Sequence, residues 1–249
     1  MGRADRLIRA ARDLSRNVEA IDFQPPVTHV YNPLLYAGRG YRRYLRRFGD
    51  GTRRVVFLGM NPGPYGMAQT GVAFGEIGFI RDWLGIEETI DRPESEHPRR
   101  PIEGFECDRS EVSGARLWGA IADHWKSPDA FFRNHFIANY CPLIFMEESG
   151  RNRTPDKLAR EDRAALFPAC DDHLRRVVSI LEPDWVVGIG AFAETRAKEA
   201  LGGDGPEIAR ILHPSPANPR ANRDWAGAVG RELTDLGLCD DRRETGERD

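Results

Sequence analysis

The sequence predicts a three-layer α/β/α fold with a central, mainly parallel sheet of four strands. Short apolar runs of strand length alternate with longer segments that carry apolar residues at helical spacing. Two of these runs end in loops rich in glycine, proline and polar side chains, as strands do at a ligand-binding edge. No internal repeat or linker divides the chain, so we expect a single domain over residues 1–249.

Each element is predicted from its local pattern. The four strands are expected at 55–58, 136–145, 184–190 and 207–212. Helices are expected where apolar side chains recur every three or four residues. Those segments are 4–21, 34–48, 80–84, 115–125, 156–181, 192–201 and 221–236. The remaining stretches are interpreted as an extended link at 23–33, a polar surface excursion at 87–111 and a loose charged tail at 240–249,. His124 and His135 are expected on the surface.

Composition limits the classes of function. Hydrophobic residues make up 40% and charged residues 30% of the chain, which is typical of a soluble globular protein,. No apolar run is long enough to span a bilayer and no signal peptide follows Met1, so we expect an intracellular protein with no membrane partner. The net charge of −3 gives no overall basic field, although a local basic face is enough to hold phosphates,. The four cysteines lack close spacing, and we expect neither a metal site nor a cofactor,.

A rigid, glycine-rich loop follows the first strand. It has glycines at 59, 63, 66, 71 and 75 and prolines at 62 and 64. Prolines fix the backbone, and glycines let it approach a ligand closely. Two neutral amides, Asn61 and Gln69, stand among apolar side chains. This composition predicts a binding loop for a flat, uncharged ligand with polar edges, in preference to a plain strand–helix connection.

A second loop, His213-Pro-Ser-Pro, follows the fourth predicted strand. It could meet Asn61 in one cleft, because the carboxyl ends of parallel strands lie at one edge of a sheet. Asn139 stands inside the second apolar run, where its amide must find partners or face a ligand. The chain has no nucleophile elbow, no Walker loop and no clustered metal ligands. The chemistry left open is electrostatic action of a histidine and an amide on a bound group.

The two loops together resemble a known family. Residues Gly59-Met-Asn-Pro-Gly-Pro-Tyr-Gly-Met-Ala-Gln-Thr-Gly-Val-Ala-Phe-Gly-Glu76 and His213-Pro-Ser-Pro-Ala-Asn-Pro-Arg-Ala-Asn222 look like those of the single-strand-selective monofunctional branch of the uracil-DNA glycosylase superfamily. The likeness continues through residues 139–143, 149–155 and 186–190. It covers the chain from about residue 30 to about residue 238.

This resemblance implies a hydrolase that acts on DNA. Such an enzyme flips uracil, and also 5-hydroxymethyluracil or related deaminated bases, out of the strand and hydrolyses the N-glycosidic bond. It leaves an abasic site, which initiates base excision repair. The implied partners are uracil-containing single- and double-stranded DNA and the downstream enzymes that process abasic sites. We expect a monomer, cytoplasmic at the nucleoid in a bacterium and nuclear in a eukaryote.

The resemblance also implies roles for individual residues. Asn61 would hold the attacking water, and His213 would stabilise the departing uracil anion. Phe74 would stack on the flipped base and Asn139 would read its Watson–Crick edge. The substrate-binding set is Met60, Gly63, Met67, Phe74 and Asn139, with Gly63 and Met67 at the wall near C5.

DNA contacts are implied in two loops. The residues are Arg151, Asn152, Arg153, Ser215, Pro216, Ala217, Asn218 and Arg220. Vertebrate members of the family have, where this chain has Ala217, an arginine that enters the duplex. We therefore expect weaker wedging of paired DNA here, which Arg220 would partly offset.

Three other functions fit part of the pattern. One is an enzyme of the same fold that prefers xanthine or hypoxanthine. A second is a non-catalytic protein that binds damaged or single-stranded DNA, against which the intact Asn61 and His213 argue. The third is a hydrolase of small nucleosides, in which the loops at 149–155 and 215–225 would have no purpose.

Overall fold

A computed structural model describes residues 1–203 and 205–238. Within them the chain forms seven strands: β1 (His29–Tyr31), β2 (Val55–Gly59), β3 (His135–Asn139), β4 (Ile144–Met146), β5 (Asn152–Arg153), β6 (Trp185–Ile189) and β7 (Glu207–Ile211). The α-helices are α1 (Arg3–Glu19), α2 (Pro33–Tyr36), α3 (Gly38–Phe48), α4 (Met67–Thr70), α5 (Val112–Trp125), α6 (Pro128–Phe132), α7 (Arg160–Leu181), α8 (Ala191–Leu201) and α9 (Ala221–Asp235). A π-helical turn spans Phe79–Trp83, and 3₁₀ turns span Gly104–Glu106 and Pro155–Lys157. The tail predicted at 240–249 lies outside the described residues.

The central sheet confirms the predicted fold class. Its four strands are parallel, in the order β3-β2-β6-β7. Consecutive side chains of a strand point to opposite faces. Phe57 of β2 packs towards Phe131 of α6, while the next position, Leu58, pairs with Gly188, which lies directly against α8. Helices therefore cover both faces, in three layers.

A second sheet is present that was not predicted from the sequence. Strands β1, β4 and β5 form a small antiparallel sheet in that order. The prediction of one strand over 136–145 is wrong, because the chain leaves the central sheet after Asn139 and enters the small sheet at Ile144. Asn139 thus stands at the carboxyl end of β3 and not in the middle of a strand. That position brings its amide to the same edge as the loop after β2.

The prediction for His135 is also wrong. His135 is the first residue of β3 and is only 1% exposed. Its ring stacks on Phe131 with the centroids 5.0 Å apart, and its Nδ1 is hydrogen-bonded to the Phe131 carbonyl oxygen. His124 is exposed, as expected. The imidazole of His135 belongs to the aromatic core between β3 and α6.

The excursion at 87–111 is tied firmly to the loop after β2 by Gln69. The Gln69 side chain is fully buried. Its Nε2 donates to the carbonyl oxygens of Pro64 and Pro101, at 3.0 and 3.1 Å. Its Oε1 accepts from the backbone N–H groups of Glu103 and Gly104, both at 2.9 Å. All four hydrogen-bonding positions are used, so Gln69 is structural and does not face a ligand.

None of the helices in residues 1–203 and 205–238 is long and apolar enough to cross a membrane.

Candidate active site

The predicted catalytic residues lie in one cleft at the carboxyl ends of β2, β3 and β7. Its cavity measures about 360 Å³, within the usual range for ligand pockets,. The residues that line it are Met60, Asn61, Pro62, Gly63, Phe74, Glu111, Ser113, Asn139, Asn152, Thr154, Asp156, Lys157, His213 and Ser215. The two loops thus converge, as the sequence predicts, although some 150 residues separate them,.

Asn61 is oriented by two backbone carbonyls. Its Nδ2 donates to the oxygens of Pro62 at 3.2 Å and of Leu143 at 3.0 Å. Both N–H groups are then used, which leaves Oδ1 as the group available to a ligand. An amide oxygen can accept a hydrogen bond from a water molecule, but it is not a base at neutral pH. Asn61 can therefore hold a water molecule without deprotonating it.

His213 is held as a neutral hydrogen-bond donor. Its Nδ1 accepts the backbone N–H of Ser215 at 3.0 Å, so the ring proton lies on Nε2,. Burial lowers the pKa of His213 below its usual value, which favours the neutral ring,. Gly190, with φ of +94°, lets the backbone pass close to this side chain, because a β-carbon there would be 3.2 Å from that of His213. The Nε2–H group can donate to an oxygen on which negative charge develops.

Phe74 and Asn139 meet above Gly59. A β-carbon on Gly59 would lie 2.6 Å from Cε2 of Phe74 and would collide with Oδ1 of Asn139. Phe74 has a φ of +54°, which is uncommon for a residue other than glycine, and its carbonyl oxygen accepts from Nε1 of Trp118 at 3.1 Å,. Its ring centroid is 6.4 Å from that of His213, with the planes inclined by 46°. The strained backbone places an aromatic face beside the imidazole and the Asn139 amide.

Glu111 is a cleft residue that the sequence analysis missed. Its carboxylate occupies the space that side chains on Gly63 and Gly66 would fill, with Oε2 2.8 Å from the β-carbon position of Gly63. Burial raises the pKa of Glu111 from 4.5 to about 7,. No sequence motif marks this residue, because it ends a polar segment that resembles a surface excursion.

The remaining substrate-binding predictions stay predictions, but their places are clear. Met60 and Gly63 line the cleft. Met67 is buried behind it, and Nδ2 of Asn139 lies 3.5 Å from the Met67 sulfur. This contact turns the Asn139 amide towards the wall of the cleft at α4.

The predicted DNA residues are exposed, line the cleft or are engaged within the protein. Arg220 is both exposed and engaged, because its guanidinium lies 3.8 Å from a carboxylate oxygen of Glu232. Arg151, Pro216, Ala217 and Arg220 are exposed, and Asn152 and Ser215 line the cleft. Oδ1 of Asn218 accepts the backbone N–H of Arg220 at 3.0 Å. Arg153 is engaged within the protein, because its guanidinium pairs with Glu147 at 2.6 Å and donates to the Lys157 carbonyl oxygen at 2.9 Å.

Arg116 of α5, which no motif marks, braces the second loop. Its two terminal nitrogens donate to the carbonyl oxygen of Pro214 and to Oδ1 of Asn222, both at 2.9 Å. Asn222 in turn donates to the Pro216 carbonyl oxygen at 2.8 Å. These bonds fix the turn that follows His213. Within residues 1–203 and 205–238, no three His, Cys, Asp or Glu side chains group as metal ligands.

Comparison with known proteins gives the family. The model of the uracil DNA glycosylase superfamily matches residues 46–229. The rat single-strand selective monofunctional uracil-DNA glycosylase is 48% identical over 227 residues, which cover 90% of this chain and 82% of the rat protein. The mouse and bovine proteins described by the same words are 47% and 46% identical over 90% of this chain and over 81% and 84% of their own lengths. The crystal structure of wild-type Pedobacter heparinus SMUG2 shares the fold, with a TM-score of 0.69, 16% identity and coverage of 95% of this chain and 97% of that one. The chain belongs to the uracil DNA glycosylase superfamily.

Proposed function

We propose that the protein is a monofunctional uracil-DNA glycosylase. It hydrolyses the N-glycosidic bond of deoxyuridine in DNA and leaves an abasic site for base excision repair. One observation carries this proposal: the Asn61 oxygen, the neutral His213 and the Phe74 ring converge on one cavity. The relatives named as uracil-DNA glycosylases favour uracil over xanthine or hypoxanthine, and an enzyme over a binding protein.

The geometry suggests how the reaction proceeds. The flipped uracil stacks on Phe74, and the Asn139 amide hydrogen-bonds its Watson–Crick edge. Nε2–H of His213 donates to a carbonyl oxygen of the base, where charge grows as the bond between C1′ and N1 breaks and the electron pair leaves with the base. A water molecule held by Oδ1 of Asn61 bonds to C1′, and its proton passes to solvent. Because Asn61 cannot take that proton, catalysis depends chiefly on stabilising the leaving base.

The proposal extends to finer features of the activity. Gly63 and Met67 form the wall near C5, which admits 5-hydroxymethyluracil as well as uracil. The enzyme acts as a monomer on single- and double-stranded DNA, and its abasic product passes to downstream enzymes. Since its substrate is cellular DNA, its place is the nucleoid of a bacterium or the nucleus of a eukaryote.

Release of free base from oligonucleotides that carry one uracil tests the proposal. Single-stranded and duplex substrates are compared in the presence of EDTA. The Asn61→Ala and His213→Ala variants should each lose about 10²-fold or more in single-turnover rate, the usual effect of removing a group that stabilises developing charge. Asn17→Ala and His124→Ala, which change the same residue types at exposed positions, should keep the wild-type rate.

Two results would contradict this function. One is binding of the oligonucleotides without base release, which would make the chain a binding protein. The other is a covalent adduct with DNA trapped by borohydride, which would assign Lys157 at the cleft as a nucleophile and end the monofunctional assignment,.

A further inference from the structure

Beside the cleft, two arginines share one tyrosine. Nη1 groups of Arg100 and Arg109 both donate to the hydroxyl oxygen of Tyr65, the latter at 2.9 Å. Both guanidinium groups also lie over the Tyr65 ring, with their central carbons 5.4 and 5.2 Å from its centroid,. The two lone pairs of the hydroxyl oxygen are then occupied, so the O–H group of Tyr65 must itself act as a donor. It joins the two arginines as a further group that seeks an acceptor.

Two more arginines, Arg99 and Arg151, lie on segments that contact this pair. Arg99 donates to the Ser149 carbonyl oxygen at 3.2 Å, and Nε of Arg100 donates to that of Gly150 at 2.8 Å. The next residue along that loop is the exposed Arg151. We call this group the Tyr65 arginine cluster; it consists of Tyr65, Arg99, Arg100, Arg109 and Arg151.

The cluster has no direct carboxylate partner in the part of the chain that the structure describes. Among the described residues, none of its four guanidinium groups forms an ion pair with a carboxylate. The guanidinium groups of Arg99, Arg100 and Arg109 donate to carbonyl oxygens and to the tyrosine hydroxyl. Of the acidic residues near these segments in sequence, Glu96 and Glu147 pair with Arg92 and Arg153 and not with the cluster. Like charges held together without a counter-charge repel each other, and an external anion removes that cost. The chain as a whole is acidic, with a net charge of −3, so this concentration of positive charge is local.

The cluster borders the candidate active site. Three cluster residues are close in sequence to cleft residues. Tyr65 comes two residues after Gly63, Arg109 comes two residues before Glu111, and Arg151 comes directly before Asn152. Three separate segments thus leave the cleft and each brings a cluster residue to its edge. Arginine is well suited to phosphate oxygens, because its planar fork donates two parallel hydrogen bonds.

We propose that the Tyr65 arginine cluster binds backbone phosphates of the DNA strand next to the flipped nucleotide. This inference rests on the proposed function. It assigns a DNA-binding role to the 87–111 segment and to Tyr65, and it replaces Arg153, which is engaged with Glu147, by Arg99, Arg100 and Arg109.

Salt-dependent binding tests the cluster separately from catalysis. The probe is a single-stranded oligonucleotide with one 2′-fluorinated deoxyuridine, whose glycosidic bond resists hydrolysis. The logarithm of the binding constant falls linearly with the logarithm of salt concentration, by about 0.7 for each phosphate contact on a single strand. Arg109→Gln should reduce that slope by about 0.7, and Arg99→Gln with Arg109→Gln by about 1.4.

Two further variants distinguish a loss of phosphate contacts from a general loss of structure. Tyr65→Phe retains the ring and removes the oxygen that joins the arginines. Like Arg109→Gln, it should lower the DNA-binding constant. Arg9→Gln removes one exposed arginine on α1 and should leave the slope at the wild-type value. On ordinary uracil substrate, Arg9→Gln should keep the wild-type single-turnover rate at saturating DNA.

The outcomes separate the two proposals. If wild type releases uracil while Arg109→Gln and Arg9→Gln share the wild-type slope, the cluster proposal is wrong and the proposed function stands. If wild type releases no base but the slope falls in Arg109→Gln, the proposed function is wrong and the phosphate surface stands. If Arg109→Gln lowered the single-turnover rate at saturating DNA but left the salt slope of binding unchanged, the cluster proposal would also be wrong.

Discussion

Single glycines decide what the cleft contains. Gly59 has no side chain, and Phe74 and Asn139 occupy the space above it. Gly63 and Gly66 leave room for the Glu111 carboxylate. From the sequence, the glycines of this loop are expected to allow close approach of a ligand. In the structure, the open space at these three positions is filled mainly by side chains of the protein itself.

The residues of the site were predictable where a motif carried them. Asn61, Phe74 and His213 were identified in the two loops and Asn139 in the second apolar run, and the structure brings the four together. Glu111 and Arg116 could not be found in this way, because their contacts join segments far apart in sequence. Burial and pairing of such a side chain depend on neighbours that a local pattern does not specify.

The carboxyl of Glu111 should make stability depend on pH. Its pKa of about 7 in the folded state, against 4.5 when exposed, means that folding favours the protonated form,. The protonated Glu111 carboxyl therefore contributes its full share of the unfolding free energy below pH 4.5, and this share is lost as the pH rises to about 7. Between pH 4.5 and pH 8, wild type should therefore lose about 3 kcal/mol more unfolding free energy than Glu111→Gln, which cannot ionise. Denaturant unfolding at the two pH values measures the difference.

The exposed Glu94→Gln is the matched control for Glu111 and should follow wild type at both pH values. If the free energy of unfolding changed equally between pH 4.5 and pH 8 in wild type and in Glu111→Gln, the Glu111 carboxyl would not be desolvated.

At the scale of elements, the parallel strands were the easiest to predict. Strands β2, β3 and β6 are covered on both faces and therefore appear as continuous apolar runs,. Strands β1, β4 and β5 have only three, three and two residues, and their antiparallel pairing joins His29 to Met146 and Phe145 to Arg153. Elements so short have no periodicity of their own. Two apolar runs joined by Cys141-Pro142-Leu143 were consequently merged into one predicted strand.

The Gln69 side chain should control the order of the 87–111 segment. In Gln69→Ala, the N–H groups of Glu103 and Gly104 and the carbonyls of Pro64 and Pro101 lose their partner. Leaving buried polar groups unsatisfied costs about 1–3 kcal/mol for each group that water cannot reach. We expect a loss of about 3 kcal/mol or more in unfolding free energy and faster proteolysis within 87–111.

Limited proteolysis with mapping of the first cut, together with denaturant unfolding, measures both effects. Gln24→Ala, at an exposed position, serves as the control. Proteolysis of Gln69→Ala at the wild-type rate would show that the segment is held by other contacts.

For the whole molecule, overall charge is a poor guide to function. The balance of 36 basic and 39 acidic residues is that of an ordinary acidic protein. The carboxylates are distributed so that many of them pair with arginines elsewhere, as Asp13 does with Arg176 and Asp171 with Arg196. Within the described residues, the guanidinium groups of the Tyr65 arginine cluster form no ion pair, whereas Arg153 and Arg220 near the cleft pair with Glu147 and Glu232. Charge distribution in space, which composition does not contain, is what indicates a phosphate-binding face.

A buried histidine far from the cleft should limit stability in acid. His173 lies in α7 where α7 packs on α1, and burial lowers its pKa from 6.5 to about 4, with the nearby Arg176 acting in the same direction. Folding favours the neutral ring, so this contribution is complete above pH 6.5 and is lost as the pH falls to 4. The loss amounts to about 3 kcal/mol for a shift of this size.

His173→Gln should remove that part of the acid sensitivity, which denaturant unfolding at pH 7 and pH 4.5 measures. His124→Gln, at an exposed position, should retain the wild-type sensitivity. An acid loss in His173→Gln as large as that of wild type would show that His173 is accessible to protons in the folded state. The effect of Glu111 has the opposite sign, so each residue must be tested by its own variant.

The start of α1 is bonded to the edge of the molecule opposite the cleft. Arg3 donates to the Ile180 carbonyl oxygen near the end of α7, and the backbone N–H of Ala4 donates to Asp50, five residues before β2 begins. The cleft lies where β2 ends. An affinity tag, a fluorophore or a bead attached before Arg3 therefore projects away from the face that receives DNA. The protein can be immobilised through this end on a sensor surface, and long nucleic acids should still reach the cleft.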